Sequence, residues 1–200
     1  MDFISANSVE YYNKNSNNYY HRTINLDMSS CYYNFFSCVP KNSSILDIGC
    51  GCGRDSKFFL DNGHSVTAFD GSIKMVEQAK KEIKQEVMHL YFSEMNFQNE
   101  FDAAWACASL LHVPYIQQKC ILEYIHNALK PEGIFFASYK YGKEKETVGL
   151  REFFNFNETS ILPYLSGLFE LLTIWTTPYT NQGFSDSSKK WLNFLVRAKK

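Results

Sequence analysis

From Ser44 onward, short apolar runs alternate with longer amphipathic stretches. The apolar runs fall at Ser44–Ile48, Ser65–Phe69, Val87–Phe92, Phe101–Ala106 and Ile134–Tyr139. Strand-length runs separated by helix-length ones predict a mostly parallel sheet with crossover helices on both faces. The intervening stretches carry helix punctuation. Ser72 stands where an N-cap belongs, Ile73, Val76, Ala79 and Ile83 recur on one face, and Lys74, Lys80, Lys81 and Lys84 fall on the other. Pro114 opens a second helix through Ile121, Tyr124, Ile125, Ala128 and Leu129, and Lys130-Pro131-Glu132-Gly133 stops it.

The pattern differs at both ends. Residues 1–40 are rich in Asn, Ser and aromatics, with Tyr11, Tyr12, Tyr19, Tyr20, Tyr32 and Tyr33 at helical spacings. One or two helices are expected there, ended by Pro40 and leading a main unit of residues 41–200 within a single domain. Past residue 140 the alternation stops. Tyr141 to Glu146 reads as a charged loop, and Asn157 can cap a short helix. The β-rich runs Phe169–Trp175 and Trp191–Arg197 flank a loop holding Pro178, Asn181 and Gly183, which predicts an antiparallel hairpin at the sheet edge.

Composition narrows the function. The 200 residues are 45% apolar and 16% aromatic, too apolar for a disordered chain. Twenty basic and 21 acidic residues give a net charge of -1, which disfavours nucleic acid held through its phosphates. The basic residues Lys189, Lys190, Arg197, Lys199 and Lys200 suit a solvated hairpin edge better than an RNA surface. No apolar run reaches a membrane span and the first residues lack a leader pattern, so a cytoplasmic protein is expected. Six cysteines without a C-x-x-C pair read as reduced thiols, and Cys50/Cys52 lack the second ligand cluster that a zinc site needs, so no metal is expected.

The informative stretch is Ile45-Leu46-Asp47-Ile48-Gly49-Cys50-Gly51-Cys52-Gly53-Arg54-Asp55. An apolar strand runs into glycines at every second position and then into a helix, so side chains are missing where backbone must turn and approach a ligand. Twenty-three residues after Asp47 the next strand ends in Asp70-Gly71, where an acid can accept from both hydroxyls of a ribose. A dinucleotide fingerprint would place the third glycine one residue later, and Asp47 and Asp55 would repel a pyrophosphate. Two carboxylates suit an ammonium and a sulfonium instead.

These residues resemble the class I S-adenosylmethionine-dependent methyltransferases, in particular small stand-alone members related to the tellurite-resistance group. The likeness spans about residues 40–200. It rests on Ile45 to Asp55, Val66 to Ser72, Phe101-Asp102 through His112-Val113-Pro114, and Leu129 to Gly133. It implies a Rossmann-like α/β fold and S-adenosylmethionine as methyl donor. By the same resemblance Asp47, Gly49, Cys50, Gly51, Gly53 and Arg54 belong to the loop holding the methionine part. Asp70 and Gly71 would meet the ribose, Ser72 and Met75 the adenine side, and Cys107 and Ser109 the strand end near sulfur. Relatives often carry an acid after the third strand for the adenine amino group; here that place falls at Asn96, followed by Phe97.

Methyl transfer from sulfonium needs alignment and water exclusion more than a triad. Tyr19 and the neighbouring tyrosines either close a lid, their faces stabilising positive charge, or pack as an ordinary helix face. His112 is the candidate base, against a plain turn-filling role, and Tyr139 and Lys140 sit at the next strand end. Lys140, Arg54 and Arg151 are either solvated or contacts for an anionic acceptor. Ala106-Cys107-Ala108-Ser109 lacks the Pro-Pro-aromatic signature of amine methylation on bases. A small-molecule acceptor is the leading expectation. RNA or protein methylation, adenosylmethionine binding without turnover, and an NAD(P)-dependent oxidoreductase are the rivals.

Overall fold

The structure is a computed structural model that describes residues 6–181 and 184–200; Gly183 of the expected turn lies outside them. Helices α1 (Ala6–Thr23) and α2 (Ser29–Phe36) precede strand β1 (Ser44–Ile48). Then come α3 (Arg54–Asp61), β2 (Ser65–Asp70), α4 (Ile73–Ile83), β3 (Met88–His89) and β4 (Phe101–Cys107). Helix α5 (Tyr115–Ala128) leads into β5 (Leu129–Lys140), and a small hairpin follows, β6 (Lys145–Val148) and β7 (Arg151–Phe154). The chain ends with α6 (Leu162–Leu165), β8 (Phe169–Asn181) and β9 (Phe184–Ala198).

Seven strands form one sheet in the order β3-β2-β1-β4-β5-β9-β8, with β1 to β5 parallel and β9 antiparallel to both neighbours. Alternation along the strands sorts the core. Ile45, Ala103, Trp105 and Phe136 face α2 and α3, where Phe35 and Phe59 are fully buried. Leu46, Ala104, Ala106 and Phe135 face α5 through Ile121, Leu122 and Ile125. The four-residue stop before Ile134 survives as an irregularity inside β5, where pairing jumps from Phe101/Leu129 to Ala103/Ile134 and Glu132 takes a positive φ of 63°.

Three expectations change. The run at Val87 pairs over only two residues, because β3 is an edge strand and the chain turns at once into a single helical turn, Phe92–Glu94. The charged stretch after residue 140 is not all loop: Lys145 starts β6, which pairs with β7 across Gly149-Leu150. The two leading helices separate in role, since α2 packs into the core through Cys31, Tyr32 and Phe35 while α1 lies over the strand ends.

Candidate active site

The strand order reverses between β1 and β4, and the crevice beyond their carboxyl ends holds the site, the place where open α/β sheets bind ligands. The glycine loop is tied to β2 by the Gly49 and Cys50 amides, which both donate to the Phe69 carbonyl at 3.0 and 2.9 Å. Gly49 has φ +70°, and a Cβ there would stand 2.7 Å from Cβ of Ser109, so its bareness lets the loop close on the end of β4. Gly51, at φ +56°, would place a Cβ against nothing nearer than the Tyr19 ring at 3.6 Å; its bare face opens onto the crevice.

Asp70 ends β2 beside this loop. One carboxylate oxygen accepts from the Gly51 amide at 2.9 Å and the other from the Ser72 amide at 2.8 Å. Burial pushes its pKa up, opposed by those two amides and by His89. Each oxygen keeps a further lone pair for an incoming hydroxyl. Ser72 also caps α4, accepting from the Met75 amide at 3.3 Å.

Helix α1 roofs the crevice. Asn13 accepts from the Ser72 hydroxyl at 2.7 Å, Asn17 from Gln78 at 2.5 Å, and Tyr20 donates to Glu82 at 2.9 Å, so one polar face of α1 is laced to α4. Its other face presents Tyr12 and Tyr19, rings edge-on at 5.2 Å. Underneath is a cavity of about 50 Å³ walled by Gly49, Gly51, Asp70, Met75, Ser109 and His112. The Ser109 hydroxyl oxygen is buried there with no hydrogen-bond partner. A second chamber of about 480 Å³ lies beyond Tyr12, Tyr19, Cys107 and Ala108, which line both spaces.

His112 is held on both nitrogens. The Glu152 carbonyl can only accept, so Nδ1 carries the hydrogen and donates to it at 2.7 Å, and Nε2 accepts from the Tyr12 hydroxyl at 2.9 Å. Burial, aided by the charges of Arg151 and Lys140, lowers the His112 pKa to about 4. Burial raises Tyr12 to about 12, against the pull of Arg151. The pair is therefore neutral near pH 7, and the ordinary histidine pKa assumed from sequence does not hold.

Residues 45–133 match the methyltransferase domain family. That match spans 89 residues, a little under half of the chain. The chain's fold is that of the class I S-adenosylmethionine-dependent methyltransferases. It is similar to 1,6-didemethyltoxoflavin-N1-methyltransferase of Burkholderia thailandensis, solved with 1,6-didemethyltoxoflavin and S-adenosylhomocysteine bound: TM-score 0.79 and 20% identity over 98% of this chain and 89% of that one. A TehB-like methyltransferase of Corynebacterium glutamicum superposes with TM-score 0.69 at 19% identity, covering 96% and 98% of the two chains. An uncharacterized methyltransferase of Synechocystis is 27% identical over 147 residues, 72% of this chain and 65% of the relative. The chain thus spans just under two thirds of that curated relative's length.

Ten of the residues singled out from sequence meet at the first cavity: Tyr19, Gly49, Gly51, Asp70, Gly71, Ser72, Met75, Cys107, Ser109 and His112. Others do not reach it. Gly53, at φ +87°, caps the start of α3 and packs on Ala79 and Ile83. Asp47 lies beneath the loop, its carboxylate taking the Ser56 hydroxyl at 2.5 Å, and burial beside Asp55 pushes its pKa up. The half-buried Cys50 packs toward the α4 side, its thiol turned to the Gly51 carbonyl at 3.8 Å. Arg54 turns to the second chamber. The turn Phe92–Glu94 sends Phe92 into the cavity wall, leaves Asn96 exposed, and packs Phe97 edge-on against Phe101 at 5.3 Å.

Tyr139 is a correction. It is fully buried in the core facing α5, its hydroxyl donating to Gln118 at 3.0 Å, because strand alternation points it away from Ser138 and Lys140, which line the second chamber. Sequence reasoning also missed Ser8, Val9 and Phe92, and Ala108, whose φ of +51° turns the chain after β4 between the chambers. Nothing in an alanine's identity signals such a turn. Tyr12 had a signal, since it stands seven residues, two helical turns, before Tyr19.

Proposed function

We propose that this protein transfers a methyl group from S-adenosylmethionine to a small-molecule acceptor. The observation that carries the reading is Asp70, fixed by the Gly51 and Ser72 amides at the mouth of a side-chain-free loop, with the unpartnered Ser109 hydroxyl across the cavity. This donor set fits the nucleoside: a carboxylate for the ribose hydroxyls, bare backbone for close approach, and an orphaned hydroxyl for a polar ligand atom. When bound, S-adenosylmethionine supplies a methyl on a sulfonium sulfur.

The chain's own residues align and seal. Tyr12 and Tyr19 exclude water above the loop and offer ring faces to positive charge, worth roughly 0.5–2 kcal/mol. His112 holds the Tyr12 hydroxyl and so fixes that wall; with its pKa near 4 it is a weak base, which fits a displacement whose rate rests on positioning. The 1,6-didemethyltoxoflavin bound by the structurally similar Burkholderia enzyme supports a small acceptor over a macromolecule.

Calorimetric titration with S-adenosylhomocysteine tests the donor site. Wild type binds, and Asp70→Ala loses about 1.5–3 kcal/mol, roughly ten- to a hundredfold in Kd, because a charged acceptor of two hydroxyls is removed. An unchanged Kd, or NADH binding in place of the nucleoside, overturns the reading. Label from methyl-labelled S-adenosylmethionine is expected in the small-molecule fraction of a cell extract and not in its RNA or protein.

A further inference from the structure

The second chamber has a charge and shape that the methyl-donor reading leaves unexplained. Its volume of about 480 Å³ suits a ligand of one or two rings. Flat walls come from Phe153, Tyr179 and Trp191, the last two stacked with centroids 5.5 Å apart and planes 21° apart. Cations dominate the lining: Arg22, Arg54, Lys140, Arg151 and Lys189 stand against the carboxylates of Asp27 and Glu146.

Four of those cations, Arg22 and Lys189 among them, already have partners inside the fold. Arg54 is forked onto Asp55 at 2.7 and 2.9 Å, and Lys140 pairs with Glu146 at 2.8 Å. Arg151 is different. Among the described residues it forms no ion pair; its guanidinium donates a hydrogen bond to the Tyr12 hydroxyl and lies 4.0 Å from the Tyr11 ring centroid and 5.1 Å from that of Phe153, and its Nε is buried without a hydrogen-bond partner. A guanidinium set against aromatic rings, with a donor unspent, is a planar fork for an oxyanion. It sits on β7, next to the Glu152 carbonyl that fixes His112, at the partition between the chambers.

We propose that this chamber takes the methyl acceptor, and that the acceptor is a planar molecule bearing a carboxylate that Arg151 binds. The proposal rests on the first chamber being the methyl-donor site, which the S-adenosylhomocysteine titration tests separately.

The test uses the full chain saturated with S-adenosylhomocysteine. Salicylate, 4-hydroxybenzoate and 2-naphthoate, each beside its carboxamide, are titrated while the fluorescence of Trp191 and the other tryptophans is followed. At least one carboxylate is expected to saturate in the millimolar range or below, with its amide about tenfold weaker or more, the loss expected for a charged hydrogen bond. Arg151→Gln is expected to erase that preference while its melting curve stays cooperative. Equal binding of acid and amide in wild type overturns the proposal without any variant, as does failure of every carboxylate to saturate. A folded Arg151→Gln that keeps the preference also overturns it. If S-adenosylhomocysteine itself does not bind, the donor site fails, a result separate from any outcome with the carboxylates.

Discussion

His112 shows how far a side chain's surroundings can move its chemistry. The residue is buried, donates to a backbone carbonyl and accepts from Tyr12, so the fold admits only its neutral form until the pH nears 4. The unfolded chain takes up that proton near the ordinary 6.5. This contribution to stability is therefore complete above pH 6.5 and is lost as pH falls toward 4, by about 3 kcal/mol over that interval. His112→Gln, which keeps a donor and an acceptor, is expected to lose less stability between pH 7 and pH 4.5 than wild type does, measured by urea midpoints. Equal losses would mean the imidazole titrates normally in the fold. At this scale the sequence conveyed residue identity but not pKa, because desolvation comes from segments distant in the chain: Tyr12 and Glu152 are 100 and 40 residues away.

Among the elements, α1 carries the clearest dynamic consequence. The cavity beneath it, about 50 Å³, is far smaller than the roughly 300 Å³ or more typical of small-molecule sites, so α1 has to lift for an adenosyl ligand to enter. The lacing suits such movement: Asn13, Asn17 and Tyr20 hold α4 through polar contacts that water can replace, and the helix is kinked at Asn15. Amide hydrogen exchange is expected to be faster in α1 than in β1 and β4 without ligand, and to slow when S-adenosylhomocysteine is added. Protection equal to β4 with no response to ligand would make α1 a fixed part of the core. The spacing of Tyr12 and Tyr19 made the helix legible. Its placement over the crevice was not, since that depends on partners on α4 and β7. The β6–β7 hairpin did leave a local trace, a Gly149 at φ +60° between Thr147-Val148 and Phe153-Phe154, in a stretch whose charges read as loop.

Across the whole molecule, Asp55 is the point where the layers lock. Its carboxylate receives Arg54 of α3, the Tyr32 hydroxyl of α2 at 2.5 Å and the Trp105 indole of β4 at 2.8 Å, while Arg54 reaches on to the Thr23 carbonyl at the end of α1. Burial alone would raise this carboxyl, but the Arg54 charge and these donors outweigh it and hold the pKa down. Asp55→Ala leaves Arg54 nearly buried without its counter-charge, and a loss of about 3–5 kcal/mol is expected from the denaturation midpoint. Asp55→Asn, which keeps an acceptor for Tyr32 or Trp105, is expected to lose less. If both variants cost under about 1 kcal/mol, the network behaves as an exposed pair and not as the lock between layers.

The sequence by itself determined the alternating architecture, the closing antiparallel hairpin and the glycine loop with Asp70 beside it, because each is written in local periodicity, turn chemistry and short spacings. Only the tertiary structure decided which of the flagged side chains share a space. It sent Tyr139 into the core by strand alternation, turned Arg54 to Asp55 and the second chamber, left Asn96 outside, and set Arg151 against the Tyr11 and Phe153 rings beside Tyr12 and His112. Such meetings join residues far apart in the chain, and they follow from packing and burial, which no local pattern encodes.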